Sequence, residues 1–107
     1  MPSQTGIAIL DKAIPALDDN SPFTMMPPET CLFFDVDGYE LLINNEVSKP
    51  EYTWGVASVA ATGWRDWMRG KGSIYVGGVV QILLDGKVVG VFFARKLAVG
   101  AEEFAIA

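Results

Sequence analysis

The residues with the clearest chemical potential are the carboxylates of Asp35, Asp37 and Glu40, which lie close together after an apolar run. Carboxylates at such spacing serve as the nucleophile and acid–base pair of phosphoryl transfer, as ligands of a calcium loop, or as the acid and base of glycoside hydrolysis. A helix–loop–helix calcium site with Asp35 at its third position requires an acid where Phe33 stands and a glutamate where Asn44 stands. Glycoside chemistry requires a large cleft, which a chain of 107 residues has little room to build. Cys31 is the only cysteine, and the chain has no histidine to activate it as a nucleophile. It reads as a buried structural thiol. The lack of histidine also removes the commonest metal ligand and argues against a zinc site. Gly70-Lys71-Gly72-Ser73 and Gly77-Gly78 lack the spacing of a phosphate-binding loop, and they read as a tight connection and a bulge.

Trp64-Arg65-Asp66-Trp67-Met68-Arg69-Gly70-Lys71 mixes aromatic and basic side chains. That combination holds single-stranded nucleic acid, and it is also what protein interfaces favour. The formal net charge of −5 opposes binding to nucleic acid or anionic lipid, so no nucleic-acid or membrane partner is expected. Residues 1–51 hold nine acids against two bases, and residues 52–107 hold four acids against six bases, so the acidity is concentrated in the first half. Trp67 is most simply core. Trp54, Trp64, Arg65 and Arg69, with Val79 and Phe92 from the strand-rich third, are the candidates for a protein interface.

Leu32-Phe33-Phe34-Asp35-Val36-Asp37-Gly38 resembles the first motif of haloacid-dehalogenase-type phosphatases, an apolar strand that ends in Asp-x-Asp-Gly-Thr. The resemblance implies Asp35 as nucleophile and Asp37 as general acid–base, with magnesium neutralising the phosphate. It ends after those residues: Tyr39 stands in place of the threonine, and no later acidic pair follows a strand. The chain is also short for that family's Rossmann-like core. Asp37-Gly38 has a simpler role, as the two-residue turn of a hairpin. Gly77-Gly78-Val79 followed by Asp85-Gly86-Lys87-Val88-Val89-Gly90 is similar to the late hairpin of GlcG/HbpS-like domains. That likeness is a glycine pair and one turn, and it carries no binding residues across.

The elements that would position these side chains follow from hydrophobic period and turn chemistry. Residues 31–36 and 39–44 flank Asp37-Gly38, which pairs Val36 with Tyr39, Phe34 with Leu41 and Leu32 with Ile43 on one apolar face. A helix is expected over about 49–69, with Ser48 as N-cap, Glu51 completing a capping box and Gly70 as C-cap. Strands over 73–84 and 87–97 flank Asp85-Gly86 and are apolar on both faces, and 102–107 reads as a short last strand. Residues 1–29 are ambiguous. Ile7, Leu10, Ile14 and Leu17 fall on a helical stripe that Pro15 would interrupt, and residues 6–10 would also suit a strand. The segment therefore reads as an N-terminal arm, packed on the domain or on a neighbour.

These readings give one α+β domain over 1–107, with a mostly antiparallel sheet of about five strands in ββαβββ order and one main helix. That order also suits profilin-like, roadblock-like and PAS-like folds. With no catalytic constellation and no implied cofactor, the expected function is a non-enzymatic binding or assembly module that self-associates through an apolar sheet face. One helix about 30 Å long and 10 Å wide covers only part of such a sheet. The competing reading is a sensor domain with a small-ligand pocket between helix and sheet. The first residues lack a signal-peptide layout and no apolar run is long enough to span a membrane, so a cytoplasmic homo-oligomer is the default expectation.

Overall fold

A computed structural model describes residues 1–97. Its elements are α1 (Ser3–Asp18), β1 (Cys31–Val36), β2 (Tyr39–Asn44), α2 (Trp54–Lys71), β3 (Val79–Leu84) and β4 (Lys87–Lys96). The four strands form one antiparallel sheet in the order β1-β2-β4-β3. The class is α+β as expected, with four strands and two helices among the described residues rather than about five strands and one helix. The expected strand over 102–107 lies outside the described residues.

Both hairpins follow from their turns. Asp37 and Gly38 have φ of 51° and 79°, and Asp85 and Gly86 have φ of 52° and 77°, the pair of left-handed residues that a tight two-residue turn requires. The first hairpin has the expected register, from Val36 opposite Tyr39 to Leu32 opposite Ile43. In the second, β4 spends two residues, Val88 and Val89, opposite Leu83. That bulge reverses the alternation of β4. Beyond it Phe92 lies opposite Ile43 and Val80 on the inner face, and Phe93 lies opposite Leu42 and Val79 on the outer face. The glycine pair at 77–78, expected to be the bulge, precedes β3.

Both helices cover the inner face. Ile9, Leu10, Ala13, Ile14 and Leu17 of α1 and Ala57, Ala61 and Met68 of α2 form one core with Leu41, Ile43, Ile82 and Phe92 of the sheet. Residues 3–18 of the N-terminal segment thus take the helical alternative, and the segment packs on its own domain. Pro15 lies on the exposed side of the last turn of α1, where it costs the helix one backbone hydrogen bond and leaves the buried stripe intact. Helix α2 starts at Trp54, five residues after the expected 49. Ser48 has φ of 57°, outside the extended conformation of an N-cap, and its N–H is bound by the Asn45 side chain at 3.1 Å. The cap is Thr53, whose hydroxyl accepts from the Val56 N–H at 3.2 Å. The cause is non-local. Residues 24–26 lie alongside 52–54, with Met26 N–H donating to the Tyr52 carbonyl at 2.9 Å and Trp54 N–H to the Thr24 carbonyl at 3.1 Å, which holds the approach to α2 extended. Trp67, expected in the core, is about half exposed at 49%, and Met68 takes the buried position one residue later.

Two further contacts define the inner layer. The fully buried Tyr52 ring lies flat on the backbone of Gly90, where a Cβ would sit 2.5 Å from ring atom Cζ. Residues 1–3 run beside the segment that leaves α2: Ser3 N–H donates to the Ile74 carbonyl and Val76 N–H to the Met1 carbonyl, both at 2.8 Å. The Ser3 hydroxyl adds a bond to the Gly72 carbonyl at 2.8 Å and accepts from Ile74 N–H at 3.1 Å.

Candidate binding surface: the outer sheet face and the edge of β3

No described helix covers the outer face of the sheet. Register places Phe33, Leu42, Phe93 and Val79 in one row that crosses all four strands. Phe33 is 55% exposed and Val79 61% exposed, whereas Leu42 and Phe93, on the central strands, are half-buried. Val91 and Leu83 extend the apolar surface toward the second turn, with Gln81 between them on β3. The next row toward the first turn is charged: Asp35, Glu40 and Arg95 lie side by side, and Arg95 pairs with Glu40 at 3.1 Å. An apolar band bordered by a charged row on one side is the usual composition of a recognition surface.

A second apolar feature adjoins the first. Between the first half of α2 and β3 runs an open groove of about 490 Å3. Val56, Val59 and Ala60 form one wall, Ile82, Leu83 and Leu84 the other, and Phe23, 90% exposed, stands at its rim. Among the described residues of the lining, Thr53 contributes the one polar side chain. Thr53 Oγ1 is already engaged as the N-cap of α2. The groove therefore offers apolar contact and little that would orient a polar ligand.

The six interface candidates are dispersed. Val79 is on the outer face. Phe92 is fully buried beneath the helices, because the bulge at Val88–Val89 turns it inward, so its expected exposure is corrected. Trp64 is half-buried and stacks on Phe92 with ring centroids 6.3 Å apart, and Trp54 packs against the core at the start of α2. Arg65 and Arg69 reach across to α1, where Asp11 accepts from them at 3.1 and 3.4 Å, and both also lie near Asp66. These two arginines tie the helices together. The outer row of Phe33, Leu42 and Phe93 is not among the candidates that the sequence singles out. Alternation in β1 and β2 places Phe33 and Leu42 on the same face as Asp35 and Glu40.

The carboxylates considered from sequence stay close together, in and beside the first turn. Asp37 is a turn residue, and Asp35 lies on the outer face beside Glu40. Cys31, expected to be buried, is exposed at the start of edge strand β1. The one strongly perturbed titrating group among the described residues is Tyr52, whose phenol is pushed well above its ordinary value by burial. Its hydroxyl has no hydrogen-bond partner among the described residues. No described helix is long and apolar enough to cross a membrane. No family model, curated protein or solved structure matches the chain.

Proposed function

We propose that this chain is a non-enzymatic assembly module that associates with a second copy of itself through the outer face of its sheet. The observation that carries this reading is the uninterrupted row Phe33, Leu42, Phe93, Val79 across four strands on a face that no described element covers. Two sheets stack about 10 Å apart with their side chains interdigitated, and a band of four such residues suits that geometry. The association is hydrophobic in origin and therefore persists at high salt. Sedimentation from low to high micromolar concentration tests it. Self-association that survives 1 M salt and is weakened to a smaller assembly in Phe33→Glu supports the reading, and a monomer at every concentration overturns it.

The groove beside β3 favours one alternative, a small apolar ligand held between helix and sheet. That reading requires saturable binding of an apolar probe, such as a short fatty acid, that Val59→Glu abolishes while sedimentation is unchanged. Binding that Phe33→Glu removes instead would assign the probe to the sheet face.

A further inference from the structure

We infer that β3 pairs antiparallel with β3 of a second copy, and that the resulting eight-stranded sheet is the unit whose outer faces meet. The second half of this inference rests on the face reading above. The first half rests on the edges of the sheet. The Ala94 N–H donates to the Gly78 carbonyl at 2.7 Å, which makes that opposed pair a hydrogen-bonded one. Hydrogen-bonded and non-bonded pairs alternate along an antiparallel ladder, so Val80 and Ile82 point their backbone groups at β4. The tight turn makes Leu84 and Lys87 a bonded pair as well, and the bulge falls entirely on β4. The N–H and C=O groups of Val79, Gln81 and Leu83 therefore all point away from the sheet, along an edge that no other described strand pairs.

The two edges of the sheet differ in how they are guarded. On β1, the same rule points the Asp35 carbonyl outward, and Lys12 of α1 donates to it at 3.2 Å. A lysine on an edge is a common way to prevent strand addition. β3 has no charged side chain and no proline anywhere from Val79 to Leu84, and the apolar groove runs beside it. An edge this apolar and this open is a template for another strand.

A second copy fits the template because β3 is complementary to itself. With Gln81 opposite Gln81 on the two-fold axis, Val79 lies opposite Leu83 of the other copy. Asp85 lies opposite its Gly77, so no like charges meet. Three hydrogen-bonded pairs supply about six backbone bonds. Antiparallel pairing in one plane places the two-fold axis normal to the sheet, so both helical layers stay on one side. The two outer faces join on the other.

Size is the second argument. Four strands about 4.8 Å apart and six residues long at about 3.3 Å each present a face of roughly 400 Å2. A stable interface needs about 800 Å2 per partner. Edge pairing doubles the face to about that value, and stacking two such sheets gives a tetramer of dihedral symmetry.

The test combines amide hydrogen exchange with sedimentation of the full chain and two variants. In the unmodified chain, the amides of Val79, Gln81 and Leu83 are expected to be protected at least about 100-fold. That protection should weaken on dilution, and the chain of 11.6 kDa should sediment as a tetramer at high concentration. Gln81→Pro removes only an outward N–H, so the fold is retained, and the tetramer is expected to be lost. Phe33→Glu is expected to leave a dimer with the three amides still protected. Amides of Val79, Gln81 and Leu83 that exchange at the free rate, while those of Val80 and Ile82 stay protected, overturn edge pairing whatever the variants do. A dimer with those amides open leaves the face reading standing alone. An unmodified chain that stops at a dimer with those amides protected keeps edge pairing and removes the face reading.

Discussion

The contact between Tyr52 and Gly90 makes Gly90→Ala an informative substitution. A Cβ at residue 90 would lie 2.5 Å from Cζ and 2.7 Å from both Cε1 and Cε2 of the ring. Carbon atoms rest at about 3.5–4.0 Å, so the ring must retreat by about 1 Å. Tyr52 is fully buried and Gly90 belongs to a central strand, so neither has space into which to move. Overpacking of this kind costs about 1–3 kcal/mol, against which the loss of glycine's freedom in the unfolded chain returns about 0.4–1 kcal/mol. A net loss of about 1–1.5 kcal/mol is expected, which lowers Tm by roughly 5–10 °C for a chain of this size. Urea and thermal melts of Gly90→Ala, Tyr52→Leu and the double variant read the result. The double variant should recover at least about 1 kcal/mol relative to the sum of the singles, because the shorter side chain vacates the space the methyl needs. A Gly90→Ala melt within a degree of the unmodified chain, or a strictly additive cycle, would refute the packing argument.

Other consequences can be checked with the same melts. The buried Tyr52 phenol keeps its proton to higher pH than in the unfolded chain, which titrates near 10. Stability from this residue is therefore fully present below pH 10 and declines as pH rises above it, and Tyr52→Phe should flatten that decline between pH 9 and 11. At neutral pH the same variant should be about 1 kcal/mol more stable, since it removes a buried hydroxyl that has no described partner. Thr53→Ala should cost about 1 kcal/mol by removing the cap of α2, whereas Ser48→Ala should cost less than about 0.5 kcal/mol. Phe92→Ala should cost about 3–5 kcal/mol, and Trp67→Ala less than about 1 kcal/mol; similar losses at the two sites would contradict their placement. Asp11→Asn breaks the link from α1 to Arg65 and Arg69, and should cost no more than about 1 kcal/mol, a difference that 1 M salt removes.

The hairpins were legible because their information is local. Asp-Gly turns demand two left-handed residues, and once the turn is placed the pairing of β1 with β2 follows residue by residue. The start of α2 was not legible from Ser48 and Glu51, because the deciding contacts come from residues 24–26, distant in sequence. The site was legible as a kind of surface and illegible as a set of residues. Phe92 and Phe93 are equally apolar, and one extra residue in β4 decides which of them meets the helices. β3 and β4 read as apolar on both faces, so period alone offered no choice of inner face. α1 was visible as a stripe of Ile7, Leu10, Ile14 and Leu17, and Pro15 argued against it because the local sequence does not show that the packing of that stripe outweighs one lost backbone bond.

The hydrogen bonds between residues 1–3 and the segment 72–76 impose an order on folding. Ser3 is bonded to groups 69 and 71 positions away in sequence, so α1 acquires its final anchor only after α2 and the following segment exist. During synthesis α1 is complete some fifty residues before the segment at 72–76 emerges, at about 5–20 residues per second. Several seconds then separate the appearance of the helix from that of its anchor. Until the sheet and α2 close over them, Ile9, Leu10 and Leu17 are open to chaperones and to neighbouring chains. Ser3→Ala should therefore reduce soluble yield during expression by more than its effect on the finished protein's melting temperature would suggest.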